Sequence, residues 1–346
     1  MTMLRKMINK TSNIPFHKLS LVIPVFNEEE NISILIDQIQ KALENYNFPW
    51  ELIIVDDGST DKTFEVLKTV SLEKGKHVRI LELARNFKQT AATQAGIDFA
   101  RGDVIVTMDG DLQNDSKDIV RMVNRLLLED LDLVAGWRKD RKDGLFFRRI
   151  PSIIANWIIA KITGVKLKDY GCSLKVFRSV ALKKLRLYGD MHRFIPAWLA
   201  TVTTPKRIAE ETVLHHPRIY GKSKYGISRT IRVIVDLVFV YFFMRFRSRP
   251  GHFFGGIGIS LVTTGIIILS YLLFLKIILY ESIGGRPLLF VGFFLLIAGI
   301  QMITSGVIAE ILARIFFETG QVKSYLVRSG DEPISYEKNW HEKNSL

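Results

Sequence analysis

Over the first 140 residues, apolar runs alternate with amphipathic stretches. Residues 19–27 (LSLVIPVFN), 51–59 (ELIIVDDGS), 78–86 (VRILELARN), 103–111 (DVIVTMDGD) and 132–138 (DLVAGWR) are apolar runs of strand length that end in polar residues. Between the first two, residues 31–46 place Ile32, Leu35, Ile36, Ile39 and Leu43 on one face, the spacing of an amphipathic helix. Further helices are expected after Thr60 or Asp61, either of which could cap one, and over about 90–100 and 116–129. Near-continuous apolar strands joined by helices predict an α/β domain whose mostly parallel sheet is covered on both faces.

The pattern then changes. Residues 250–275 and 287–309 carry no charge, and both runs exceed the roughly 18 residues at which a helix can span a bilayer. Core helices of soluble proteins seldom run wholly uncharged for so long, so two spans of about 250–275 and 287–312 are expected. The short link 276–286 makes them a hairpin. Arg245, Arg247 and Arg249 before it, and Arg314, Lys323 and Arg328 after it, put both ends in the cytoplasm by the positive-inside rule. Gly255, Gly256, Gly258, Gly265, Gly292, Gly299 and Gly306 would let the helices approach closely.

Two shorter apolar segments look interfacial. Residues 145–164 group Ile150, Ile153, Ile154, Trp157, Ile158 and Ile162 on one face. Residues 231–244, interrupted by Arg232 and Asp236, are too short to span. The expected organisation is a basic extension (1–18), a cytoplasmic catalytic domain (19–227), an interfacial helix (228–249), the hairpin (250–315) and a cytoplasmic tail (316–346). In that tail, residues 321–330 (QVKSYLVRSG) alternate like a strand without an evident partner, and are expected to add to another subunit's sheet in a homo-oligomer.

Composition narrows the chemistry. The single cysteine, Cys172, excludes internal disulfides and fits a reducing compartment. The first 18 residues lack the apolar stretch of a signal peptide. A net charge of +13 beside two membrane spans points to an anionic lipid surface; no nucleic-acid-binding motif accompanies the charge.

Ligands of parallel sheets sit beyond the carboxyl ends of the strands. Those ends carry Asn27 and Glu28, Asp56 and Asp57, Arg85 and Asn86, Asp109 and Asp111, and Arg138. No Gly-x-Gly-x-x-Gly or Gly-Lys-Ser/Thr loop is present, which counts against a dehydrogenase or a P-loop enzyme. A diphosphate bound here would need its charge neutralised by a metal. Asp109 and Asp111, with Gly110 keeping the backbone close to a ligand, supply oxygens suited to Mg²⁺ or Mn²⁺, and Gln113 could add a neutral one.

These stretches, together with VIPVFNEEENI, VDDGSTDKT, MDGDLQND, GWR, DYGCSLKVFR and HRFIP, resemble the polyisoprenyl-phosphate glycosyltransferases of glycosyltransferase family 2. The nearest likeness is to the Gtr-type bactoprenol glucosyltransferases, relatives of dolichyl-phosphate mannose synthase. The resemblance covers about residues 19–315. It implies a GT-A fold that moves a sugar from a nucleoside diphosphate to a lipid phosphate with inversion: glucose from UDP-glucose to undecaprenyl phosphate, or mannose from GDP-mannose as the alternative. By position it implies nucleoside contacts at Pro24, Phe26, Glu28 and Asp57, and metal and diphosphate ligands at Asp109, Asp111 and Gln113. It also implies acceptor-phosphate contacts at Arg138, Arg148 and Ser152. The basic loop 218–226 (RIYGKSKYG), with Arg218, Lys222 and Lys224, would close over donor or lipid phosphate. NFKQ at 86–89 departs from the pattern, since relatives often have glycine after the phenylalanine.

The acceptor explains why no catalytic histidine stands out. A phosphate monoester, with a second pKa of about 6, is largely a dianion at pH 7 and needs no general base. His192, His215 and His216 are read as structural, and Asp169 as a polar residue near the reacting centre. Two rival readings remain: a processive polysaccharide synthase, whose Gln-x-x-Arg-Trp motif is absent, and a non-catalytic nucleotide-sugar-binding membrane protein.

Overall fold

The computed structural model describes residues 15–139, 159–161, 163–187, 189, 191–217, 242, 246, 250–319 and 327–329. Two compact units result: residues 1–238 with 323–346, and residues 239–322.

The first unit is built on one sheet. Its strands are β1 (Leu19–Val25), β2 (Trp50–Asp56), β3 (Val78–Leu83), β4 (Val104–Thr107), β5 (Leu133–Trp137), β6 (Lys175–Arg178), β7 (Ile208–Thr212) and β8 (Val327–Ser329). In space they run β7-β5-β6-β4-β1-β2-β3-β8. Helices α1 (Ile32–Leu43), α2 (Thr63–Lys74), α3 (Gln89–Phe99) and α4 (Asp118–Leu128) make the crossovers. Four sheet pairs are parallel, β1 with β2 and β4, β2 with β3, and β5 with β7. The sheet is therefore mixed, since β6 runs antiparallel to β4 and β5, and β8 to β3.

Burial explains the strands. Leu21, Ile23, Leu52 and Ile54 face a cluster completed by Ile32, Leu35, Ile36 and Ile39 of α1 and by Ile119, Met122 and Val123 of α4. On the other face α3 presses so close that a methyl on Gly96 would lie 2.3 Å from Val22. Small residues (Ala91, Ala92, Ala95) line that helix for the same reason. Neither Thr60 nor Asp61 takes the cap position of α2, which is Lys62, though the Asp61 carboxylate just before it accepts the Thr63 N–H at 3.0 Å.

Each strand stops short of the predicted polar end. β4 ends at Thr107 rather than 111, which leaves the whole DGD stretch as loop at the sheet edge. Because β1, β2 and β3 progress one way from β1 while β4 lies on its other side, the crevice opens between β1 and β4, where crossovers diverge.

The tail is corrected. β8 pairs antiparallel with β3 of its own chain, Leu83 opposite Val327 and Glu82 opposite Ser329. The expectation of an intersubunit strand fails because β3 would otherwise be a bare edge, with unpaired N–H and C=O groups that the chain's own end satisfies.

The second unit contains α5 (Pro250–Ile278) and α6 (Pro287–Thr319), both long and apolar enough to cross a membrane. Their apolar side chains are outward, Phe294 and Ile267 among them, unlike a soluble core. The glycine expectation holds for Gly258 against Gly299 and Gly265 against Gly292, while Gly306 lies against Gly251, a glycine not among those expected. A Cβ on Gly258 would sit 2.7 Å from the Gly299 carbonyl oxygen. A Cβ added at Gly255 or Gly256 would meet nothing within 4 Å among the described residues, although one on Gly306 would lie 3.5 Å from the Gly255 nitrogen.

Of the expected interfacial helices, the named face of 145–164 lies outside the described residues, and the end at 159–161 is helical with Ile159 buried. Nearly all of 231–244 lies outside as well.

Ending the chain after Gly320 should bare the β3 edge. Amide exchange in β3 is expected to rise at least roughly tenfold while β1 stays protected; unchanged β3 exchange would show that β8 does not cover it.

Candidate active site at the carboxyl edge of the sheet

The loops after β1 and β2 are stitched together. Asn27, in the left-handed region at φ 55°, accepts the Thr60 N–H at 2.8 Å and donates its own N–H to the Ser59 hydroxyl at 2.9 Å. The Glu28 N–H donates to the Thr63 hydroxyl at 2.9 Å. Pro24, Phe26 and Glu28 are half-buried along this edge. Asp56 is spent on the turn itself, accepting from the Ser59 N–H and hydroxyl. Gly58 is required, since at φ 67° its Cβ would lie 2.6 Å from the Arg85 carbonyl carbon.

Asp57 is different. Only 3 % exposed, it accepts the Phe87 N–H at 2.7 Å. Burial raises its pKa to about 6, with the Asp56 charge adding to that and the Phe87 and Lys88 N–H groups opposing it. Across the crevice, Asp109 is also raised to about 6, by burial and then by the neighbouring Asp111 charge. Its Oδ1 accepts from the Gln89 side chain at 2.7 Å. Asp111 is 8 % exposed, and its Oδ1 accepts the Gln113 N–H at 3.3 Å. Gly110 has a packing reason as well: its Cβ would meet Val25 at 2.7 Å, so the approach to β1 demands the glycine.

Two crowded, desolvated carboxylates fit a divalent cation, which would relieve their mutual repulsion. Among the described residues no three His, Cys, Asp or Glu side chains converge as a closed cage. A cation here would be held by Asp109 and Asp111 from one side, with Gln113 beside them, leaving positions for phosphate oxygens.

Beyond β5, Arg138 forks onto Asp169 through Nε at 2.7 Å and Nη2 at 3.0 Å. Burial disfavours both charges, yet the fork outweighs it: the arginine pKa is raised and the carboxyl pKa lowered. Asp169 is therefore a holder of Arg138 and a poor base. Arg148, Ser152, Arg218, Lys222 and Lys224 lie outside the described residues.

Several contributors were missed in the sequence. Lys175 starts β6 opposite Thr107, is 3 % exposed, and donates to the Cys172 carbonyl. Burial lowers its pKa, against the charges of Cys172, Asp169 and Asp109. Ser173 bonds Asn114 at 2.9 Å and also Asp109. His192 meets the Thr90 hydroxyl at 2.6 Å, while the His216 N–H donates to the Gln113 carbonyl at 2.8 Å. These histidines brace the loops around the acids, as expected of structural ones. Serine and lysine within SLKVF gave no signal beyond the motif itself, because their role depends on β6 entering between β4 and β5.

The segment that departs from the glycine pattern keeps a glycine-like backbone. Lys88 has φ 77° and ψ 160°, a region that is essentially glycine-only and costs other residues on the order of 1–3 kcal/mol.

Comparisons with known proteins agree with this architecture. A family model described as glycosyl transferase family 2 matches residues 20–186. The chain is 55% identical over 311 residues to a dodecaprenyl-phosphate galacturonate synthase of Rhizobium johnstonii, covering 90% of this chain and 92% of the relative. It is 32% identical to an undecaprenyl-phosphate 4-deoxy-4-formamido-L-arabinose transferase of Serratia proteamaculans, covering 92% and 96%. Among solved structures, the UDP complex of glucosyl-3-phosphoglycerate synthase from Mycobacterium tuberculosis aligns with TM-score 0.51 at 18% identity, over 67% of this chain and 82% of that one. Mannosyl-3-phosphoglycerate synthase from Rubrobacter xylanophilus aligns with TM-score 0.51 at 15% identity, over 66% and 75%. The likenesses establish the GT-A fold expected from the sequence. Glucose, the sugar implied by the Gtr-type resemblance, gains no support from these two relatives, which are named for galacturonate and for a formamido-arabinose.

Asp57 makes a pH-dependent prediction. A carboxyl whose folded pKa is raised to about 6, from about 4 when unfolded, destabilises the fold above pH 6, and that cost is relieved as pH falls toward 4. Asp57→Asn should therefore raise the melting temperature at pH 7.5 by several degrees and change it little at pH 4. An equal shift at both pH values would contradict the assignment.

Proposed function

The chain belongs to the polyprenyl-phosphate glycosyltransferases of family 2, and on that premise we propose that it transfers a uronic acid from a nucleoside diphosphate to a polyprenyl phosphate, inverting the anomeric carbon. The observation that carries the chemistry is the acid pair Asp109 and Asp111 within reach of the charge of a half-buried, carboxylate-held Arg138 at the strand ends. The 55% identity to a galacturonate synthase over 90% of the chain supports the sugar.

Pro24, Phe26, Glu28 and Asp57 line the nucleoside side. Asp109, Gly110 and Asp111 meet the diphosphate side, and the two carboxylates with Gln113 would hold Mg²⁺ or Mn²⁺, whose charge stabilises the departing diphosphate. The lipid phosphate attacks as a dianion, so no side chain must remove a proton. That suits Asp169, whose lowered pKa makes it an anchor. Arg138 keeps guanidinium donors for the attacking phosphate, and Arg148, Ser152, Arg218, Lys222 and Lys224 are proposed to complete that grip. α5 and α6 would anchor the enzyme where its lipid acceptor resides, with the catalytic unit and both termini cytoplasmic by the positive-inside rule.

The test supplies purified full-length protein with undecaprenyl phosphate, Mg²⁺ or Mn²⁺, and labelled UDP-galacturonate, UDP-4-deoxy-4-formamido-arabinose, UDP-glucose or GDP-mannose. Metal-dependent label in the organic phase from UDP-galacturonate is expected, lowered at least about 100-fold by Asp111→Asn. Transfer from one of the neutral hexose donors instead would overturn the sugar, and donor binding without any transfer would overturn catalysis.

A further inference from the structure

Residue 88 lies between the Phe87 N–H that holds Asp57 and the Gln89 side chain that holds Asp109, and its own N–H also bonds Asp57. The Phe87 N–H donates to Asp57 Oδ1 at 2.7 Å, and the Gln89 side chain donates to Asp109 Oδ1 at 2.7 Å. The chain thus crosses from the nucleoside-side acid to the diphosphate-side acid at Lys88, whose side chain is exposed at that edge.

Within the described residues, little holds the Lys88 side chain in place. Among the described residues its ammonium makes no ion pair within 4 Å, and the carboxylate that feels its charge, Asp57, is already bonded to the Phe87 N–H. Its backbone, at φ 77° and ψ 160°, is one that glycine would adopt without strain. From the folded protein the Lys88 side chain gains only an attraction to Asp57 while its backbone is strained, which leaves its ammonium available to a ligand. The crevice it borders contains buried acids, so an anionic donor entering there needs cations from the rim.

We propose that Lys88 is a donor-binding residue, its ammonium meeting an anionic oxygen of the nucleotide-linked sugar. This rests on the transferase reading above. Two parts of one donor carry such oxygens, the diphosphate and the uronate carboxylate, and the substrates of the test separate them.

Full-length protein and its Lys88→Gly, Lys88→Ala and Lys88→Arg variants would be compared for binding of UDP, UDP-galactose and UDP-galacturonate, for donor and polyprenyl-phosphate KM, and for melting temperature. Lys88→Gly is expected to raise the melting temperature by roughly 2–4 °C yet raise the donor KM about tenfold, with the polyprenyl-phosphate KM within about twofold of the parent. Lys88→Ala should lose the donor as badly without the stability gain, and Lys88→Arg should retain donor affinity. Equal losses for UDP, UDP-galactose and UDP-galacturonate assign the contact to the diphosphate; loss confined to UDP-galacturonate assigns it to the carboxylate. A glycine variant that binds all three like the parent overturns the proposal. Should the parent protein transfer another sugar, the uronate reading fails by itself, and UDP binding still decides Lys88.

Discussion

Like charges crowded at one edge of a desolvating sheet are the constraint on which this site depends. Asp57 and Asp109 are both pushed up to about 6 by burial and by neighbouring acids, which means the folded chain carries electrostatic cost there and waits for a cation or donor to relieve it. Stability is supplied elsewhere. The opposite edge of the same sheet shows how: Glu51 is just as buried, but it accepts from the Ser20 hydroxyl and the Arg101 N–H, each at 2.7 Å, and pairs with Arg79 at 2.9 Å. There the compensation outweighs burial and its pKa is lowered. One fold thus holds a fully compensated acid at its base and incompletely compensated acids at its rim. The contrast separates structural from functional charge more sharply than residue type does.

Tight packing is what makes the rim affordable. Gly96 lets α3 close on Val22, and Gly110 lets the acid loop lie against Val25, so the loops bearing Asp109 and Asp111 are seated on β1. Hydrogen bonds between loops, such as those of Asn27 with Thr60 and of Asn114 with Ser173, fix the remaining freedom. A site arranged this way is held before any ligand arrives, and pre-arranged charge is worth most in charge-transfer chemistry.

Much of this was legible because it rests on local pattern. β1 to β5, α1 and the two long apolar helices follow from runs and periodicity that need no tertiary knowledge, and the acids at strand ends follow from the topology such runs imply. What escaped depends on distant pairing. β6 is four residues long and begins with a lysine that reads as surface until it is buried between β4 and β5; β7 (IAEET) is half exposed and has no strand pattern. β8 exists because β3 has a free edge, which only the completed strand order reveals. Gln89 and Ser173 are ordinary polar residues in sequence, and their contacts with Asp109 arise only from the fold. Gly110 was noticed for close approach to a ligand, and the fold adds Val25 of β1 as a neighbour that the sequence does not reveal.

The fork between Arg138 and Asp169 follows the same logic beyond β5, on the side proposed to take the acceptor. A free arginine would lose rotamer freedom on gripping a phosphate, whereas one held at both Nε and Nη2 has already done so. Buried near Lys175, its charge would be costly without the carboxylate, and the carboxylate would be costly without it. Joined, they present donors toward the strand ends at fixed geometry while removing the nearest candidate base from proton chemistry. A nucleophile that arrives already ionised is the one such a site can use, and the lipid phosphate is that nucleophile.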